Sequence, residues 1–288
     1  MLLTSKTNGV SDPSISLCTT HEHEKLICKL PPGQGTNYEL SLIVFGQTPS
    51  VGTWKNINYE TPVVTKVTPK QASTLNPGII TIAGNNFGVL KPVVTLVGTN
   101  KNCTVISHTH IEIKCQVANG EGKNHQVVVI AGGQSSSITG PTFSYIEPSI
   151  TSFAPKNGRT DALNATFNGR QVMVLNGFNF GTPENNQFSI VFNSIGEIDA
   201  LGNPSQFTVP PIDILIRTHE QITFYQPPGY GANVKITILV KEQTSTPSAA
   251  PFVYETPTFN KARPKCEMKI SETKYETVQC YGYNLPGE

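Results

Sequence analysis

Charge is scarce in this chain. Only 14% of its 288 residues are Asp, Glu, Lys or Arg, the net charge is +1, and there are four arginines (Arg159, Arg170, Arg217, Arg263). So neutral a surface lacks the broad positive field that tracks phosphates, which argues against nucleic acid as a partner. Aspartate is equally rare, with only Asp12, Asp161, Asp199 and Asp213, and no Asp-rich loop suited to calcium. No Gly-x-Ser-x-Gly or Cys/His nucleophile pattern stands out, so the chain reads as a non-enzyme without a cofactor. Long apolar runs are also missing. Stretches such as Val127-Val128-Val129-Ile130-Ala131 are of strand length, far below the ~18 residues of a bilayer-crossing helix, and residues 1–9 contain no secretory apolar core. Sustained helical spacing is absent, while Gly (24) and Pro (22) punctuate the chain throughout.

What the chain does have is internal repetition. Tyr59-Glu60-Thr61-Pro62 recurs as Tyr145-Ile146-Glu147-Pro148 and Tyr254-Glu255-Thr256-Pro257, each followed by a further proline (Pro69, Pro155, Pro264). A second marker runs from Ile80 to Gly88, returns from Met173 to Gly181, and is fainter from Gln279 to Pro286. A third leads from His23, His110 and His219 to a glycine turn at Gly35, Gly122 and Gly231. The constant order of the markers divides the chain into the back of one repeat (1–60), two complete repeats (61–147 and 148–256) and the start of another (257–288). Half a sandwich would expose an apolar face and an unpaired edge. The natural polypeptide is therefore expected to extend both ways, and any membrane attachment would come through an anchor outside this sequence.

Within a repeat the period is two. Leu40, Leu42 and Val44 alternate with Glu39, Ser41 and Ile43, and the matching inward sets are Val127, Val129, Ala131 and Ile236, Ile238, Val240. About seven short strands per repeat, separated by Gly, Pro, Asn and Ser turns, predict an all-β fold of tandem antiparallel sandwiches.

The motifs Gly84-Asn85-Asn86-Phe87-Gly88, Cys103, Ile113-Lys114-Cys115 and Gly120-Glu121-Gly122, with Pro31-Pro32-Gly33-Gln34-Gly35 and Pro227-Pro228-Gly229-Tyr230-Gly231, resemble the IPT/TIG family of immunoglobulin-like domains. The resemblance covers nearly the whole chain and weakens over 264–288. Members of this family occur in plexin-type receptors, in Rel-like transcription factors, beside carbohydrate-active enzymes and in slime-mould cell-surface recognition proteins. Tandem copies without a basic domain look like the receptor and surface members. The resemblance thus implies a cell-surface or secreted protein that recognises a protein ligand, including a second copy of itself, with its sandwiches acting as spacers. A carbohydrate-binding accessory module and a Rel-like DNA-binding protein are the alternatives.

The third repeat exceeds the second by 23 residues, 109 against 86 between successive tyrosine markers. If sheets keep their length, the additions fall in connections near 157–168 and 194–213. The second carries Ile195, Ile198, Leu201, Phe207, Val209 and Ile212, more apolar surface than a free loop needs. It is expected either to bind a partner or to fold back as an extra edge strand. Asn102-Cys103-Thr104 and Asn164-Ala165-Thr166 are glycosylation sequons. His21-Glu22-His23 and His108-Thr109-His110 have a spacing that can ligate zinc, but a polar approach to a strand explains them equally well.

Six cysteines fall as Cys18/Cys28, Cys103/Cys115 and Cys266/Cys280, and the third repeat has none. Two or none per repeat is the distribution of bonded pairs, which implies an oxidising compartment; buried free thiols and a metal site are the rivals. Cys115 has the strand parity of Ile111 and Ile113, and aligns with Phe224 in the next repeat, so it is expected in the core. Non-reducing peptide mapping is expected to recover all three pairs. Alkylation of all six thiols without reductant would remove the extracellular reading.

Overall fold

The computed structural model describes residues 2–5, 18–22, 24–30, 32–41, 53–99, 101–163, 169–183, 186–198, 204–256, 258–259, 267–270, 276–279 and 282–283. The protein is all-β and its contacts divide it into two units, Met1–Asn119 with Lys123–Tyr145, and Gly120–Gly122 with Ile146–Glu288.

In the first unit, strands Val63–Thr68, Ile79–Asn85 and Glu112–Gln116 pair antiparallel, and Lys101–His108 follows. The latter half of Lys101–His108 continues this sheet, while its first three residues pair with Val93–Leu96, next to His125–Ala131. One strand therefore belongs to two sheets and folds them over a common core. Val127, Val129 and Ala131 are buried as the alternation predicts, the two valines in one core with Ile80, Ile82, Ile113 and Phe143. Ahead of this sandwich, Leu2–Ser5, Tyr38–Ser41 and Thr53–Ile57 form a three-stranded sheet. Leu42 and Val44 lie outside the described residues, and the side chains of Leu40 and Trp54 are not described.

The second unit has the same plan in two four-stranded sheets. One orders Ser149–Ala154, Val172–Phe178, Gln221–Tyr225 and Ile214–Arg217; the other orders Pro204–Thr208, Phe188–Ile198, Val234–Val240 and Gln243–Thr244. Ile236, Ile238 and Val240 point inward with Met173, Leu175 and Ile222. Three rings knit this core, with Phe192 6.2 Å from Phe224 and 5.5 Å from Phe252 in edge-on contact.

The Gly-x-Asn-Phe-Gly marker has the same cause in each unit. A Cβ on Gly84 would stand 1.9 Å from the Val63 carbonyl oxygen, and one on Gly177 2.0 Å from that of Ser149, so neighbouring strands approach as closely as they do only without a side chain. Asn86 and Asn179 then turn through φ of 63° and 62°, which sends Phe87 and Phe180 into the core. The Phe87 and Phe180 N–H groups donate to the carbonyls of His110 and His219, each at 3.0 Å. The sequence markers at glycine and histidine are thus two sides of one contact.

Phe192→Ala is expected to cost the second unit about 3–5 kcal/mol in chemical denaturation, while Ile212→Ala, at an exposed turn residue, should stay within about 0.5 kcal/mol.

Candidate functional site

Cys103 and Cys115 are joined by a disulfide across adjacent strands, with Cα atoms 5.5 Å apart, and both are buried. Cys115 sits opposite Ile80, and Phe224 sits opposite Met173 on the equivalent rung of the second unit. A ring there occupies the place that a half-cystine occupies in the first unit. Closing the short loop between the cysteines contributes about 2–3 kcal/mol. Ile113 is buried with Cys115 as expected, but Ile111 is exposed. It precedes the strand Glu112–Gln116, in the turn where Thr109 N–H donates to Glu112 O, so strand parity does not reach it. Cys18 and Cys28 are backbone partners on paired strands, though their side chains are not described; Cys266 and Cys280 lie outside the described residues.

The expectation that the additional residues of the third repeat lie wholly in connections does not hold. Where the first unit has the four-residue strand Val93–Leu96, the second has the eleven-residue Phe188–Ile198, to which Pro204–Thr208 returns antiparallel. The described part of the enlargement is a lengthened edge hairpin, in which Phe188–Ser194 pairs with Val234–Val240 and Pro204–Thr208 pairs back onto the long strand. Val209 is buried in the core, which withdraws it from any partner, and the half-buried Phe207 packs against that core, 5.2 Å from Tyr230 and 6.0 Å from Tyr254. Ile212 is 87% exposed, and Leu215 and Ile216 nearby are also exposed. Ile195 and Ile198 lie in the long strand with undescribed side chains, and Leu201 lies outside the described residues, as does Asn164. Asn102 is exposed, its Oδ1 accepting the Thr95 hydroxyl at 3.2 Å.

Sequence spacing gave no hint of what anchors this hairpin. Arg170 donates through both terminal nitrogens to Asp213, at 2.5 and 2.6 Å, and lies 4.5 Å above the Tyr225 ring. Asp213 ends the short 3-10 helix Pro211–Asp213, and the two residues are 43 apart in sequence. The Asp213 side chain is 10% exposed against 40% for Arg170, so the carboxylate is the sheltered partner. The Arg170 hydrogen bond holds its acid below the ordinary carboxylate range. Burial, in contrast, pushes the Tyr254 hydroxyl well above its usual value while it donates to Pro227 O.

His108 ends its strand and the exposed His110 uses its carbonyl to hold Phe87. Among the described residues no three His, Cys, Asp or Glu side chains converge on a metal position. None of their helices is long and apolar enough to cross a membrane.

Two antiparallel sheets joined by one strand around a buried disulfide define residues 63–145 as an immunoglobulin-like β-sandwich. More particularly, residues 62–145 match the IPT/TIG domain family. The chain is similar to Fibrocystin-L of Homo sapiens, 29% identical over 123 residues, which is 42% of this chain and 3% of that protein; the Mus musculus protein matches with the same identity and coverage. The chain therefore spans a very small part of the length of these curated relatives. Among solved structures, the surface glycan-binding protein PbSGBP-B of Prevotella bryantii aligns at a TM-score of 0.41 with 16% identity over 67% of this chain and 42% of that one. The plexin A4 full extracellular region aligns at 0.29 with 14% identity over 67% and 18%. At these values nothing further rests on either.

Arg170→Ala is expected to destabilise the second unit by about 1–3 kcal/mol, because it leaves the sheltered Asp213 carboxylate without its cation. The folded acid is depressed, so its contribution is present above an unfolded value of about 3.9 and fades as pH falls through the folded one. Denaturation at stepped pH below about 4 should show this loss in the parent and a weaker one in Arg170→Ala.

Proposed function

We propose that the chain is a recognition segment of a cell-surface or secreted protein. Its repeats, 1–60, 61–147, 148–256 and the beginning of another at 257–288, would be tandem IPT/TIG-type sandwiches that act as spacers and present surface to a protein ligand, a second copy of the chain included. It works by binding alone, without catalysis or a cofactor. The observation that carries this reading is the buried Cys103–Cys115 disulfide in the core of the IPT/TIG match. A core built around a cystine suits an oxidising compartment, and the pairwise cysteines of the other repeats follow the same logic. The sequence similarity to Fibrocystin-L supports the family placement.

Within the described residues, the contact surface proposed for the second unit is the exposed apolar edge of Ile212, at the end of the segment 194–213, with Leu215 and Ile216. Exposed Asn102 is an acceptor for an N-glycan if the protein is secreted.

Secreted, tetramerised chain is expected to bind a cell surface, and Ile212→Asp with Ile216→Asp should weaken that binding about tenfold with little change in Tm. Undiminished binding by the double variant would remove this edge as the contact. Binding to a glycan array in place of protein would move the reading to the carbohydrate class, and salt-sensitive duplex binding would move it to the Rel-like class. Unmodified Asn102 and reduced Cys103 and Cys115 in the native protein would refute secretion.

A further inference from the structure

The Gly-X-Gly turns at 33–35, 120–122 and 229–231 have so far served only as punctuation, yet two of their central residues are polar and buried. In the first unit Gln34 is 9% exposed and its Oε1 accepts the Leu90 N–H at 3.0 Å. The neighbouring Gly35 N–H donates to Gln134 Oε1 at 3.2 Å, and Gln134 Nε2 donates to Tyr59 O at 3.0 Å. The seat is lined by glycine. A Cβ on Gly88 would lie 1.8 Å from Gln34 Oε1, and one on Gly132 would lie 2.5 Å from Gly35 N.

The second unit, which includes Gly120–Gly122, repeats this arrangement with a charge added. Glu121 is 7% exposed, its Oε2 accepts the Thr182 N–H at 2.7 Å, and Gly122 N–H donates to Gln243 Oε1 at 3.1 Å. Gln243 and Gln134 hold the same place, each two residues beyond a positive-φ turn residue. That residue is Gly132 in the first unit and Lys241 in the second, whose ammonium lies 4.0 Å from Glu121 Oε1. The uncharged rim faces a neutral amide, and the cationic rim faces a carboxylate.

We propose that the glycine loop after the buried Phe, together with the hairpin glutamine, is a binding socket on each sandwich. Its ligand is a Gly-X-Gly turn bearing a hydrogen-bond acceptor at X, and the pairing of X with the rim residue decides which turn a socket accepts. The chemistry requires both parts. A sheltered backbone N–H needs an acceptor, which Gln and Glu both supply, but a carboxylate enclosed without a cation is costly. The partner of such a socket is thus another copy of the repeat, identified by the residue between its glycines. The third turn differs because its own unit has taken the central side chain: the Tyr230 hydroxyl is 2.7 Å from Ser205 Oγ on the lengthened hairpin and its ring packs on Phe207. Its hydroxyl is already engaged inside its own unit.

Amide exchange followed by NMR on the full chain tests this. Gln34→Ala should speed exchange at Leu90 about tenfold and leave Thr182 unchanged, and Glu121→Ala should do the reverse. Gln34→Glu, which puts a carboxylate against the uncharged rim, should behave like Gln34→Ala. Glu121→Gln combined with Lys241→Gln should retain protection at Thr182 that Lys241→Gln alone loses. Unchanged Leu90 exchange in Gln34→Ala would overturn the socket, and parent-like protection in Gln34→Glu would overturn its selectivity. If amides of the central strands Ile79–Asn85 and Val172–Phe178 accelerate equally with Leu90 and Thr182, the buried residues only support the core and the proposal fails.

Discussion

Everything in these units depends on how closely two backbones can approach at Gly84 and at Gly177. The missing side chain lets the first strand of each sandwich lie against the second, with the Val63 and Ser149 carbonyls occupying the space a Cβ would need. From that contact the chain turns through Asn86 or Asn179, drives a phenylalanine into the core and returns through a glycine of φ near 80°. The backbone N–H groups left by the turn are met by the hairpin carbonyls at 110 and 219. The seat for the Gly-X-Gly turn begins at the next residues. Core packing and the proposed recognition site therefore share one stretch of backbone.

The two sandwiches fill equivalent cores differently. The first closes its centre with a cystine, and the second uses Phe192 packed against both Phe224 and Phe252. Both remove a large apolar volume from water at the same rung, but only the cystine also ties two strands covalently. The second unit instead has its lengthened edge hairpin, held at its base by Arg170 and Asp213 and along its length by Phe207 and Val209. A paired arginine can hold a sheltered carboxylate there because the two side chains meet in a bidentate geometry.

Much of the fold was legible because period-two alternation and glycine markers act locally. Val127, Val129, Ala131, Ile236, Ile238 and Val240 face inward, and Cys115 shares the burial of Phe224. The enlarged segment misled for a physical reason. Strand length is set by whether an edge finds a partner, and Phe188–Ile198 finds one in Pro204–Thr208, so residues expected in a loop became sheet. Parity places Ile111 with Ile113, but the strand begins one residue later, at Glu112.

By itself the sequence determined the all-β class, the strand period and the Cys103–Cys115 pair, since each depends on residues near one another. Only the tertiary structure decided which polar side chains are sheltered and by whom. Arg170 and Asp213, or Gln34 and Leu90, are separated by 43 and 56 residues and belong to no shared motif. The hydrogen bonds between them exist because folding brings distant segments within 3 Å and excludes water, and that geometry belongs to the packed chain, not to any local spacing.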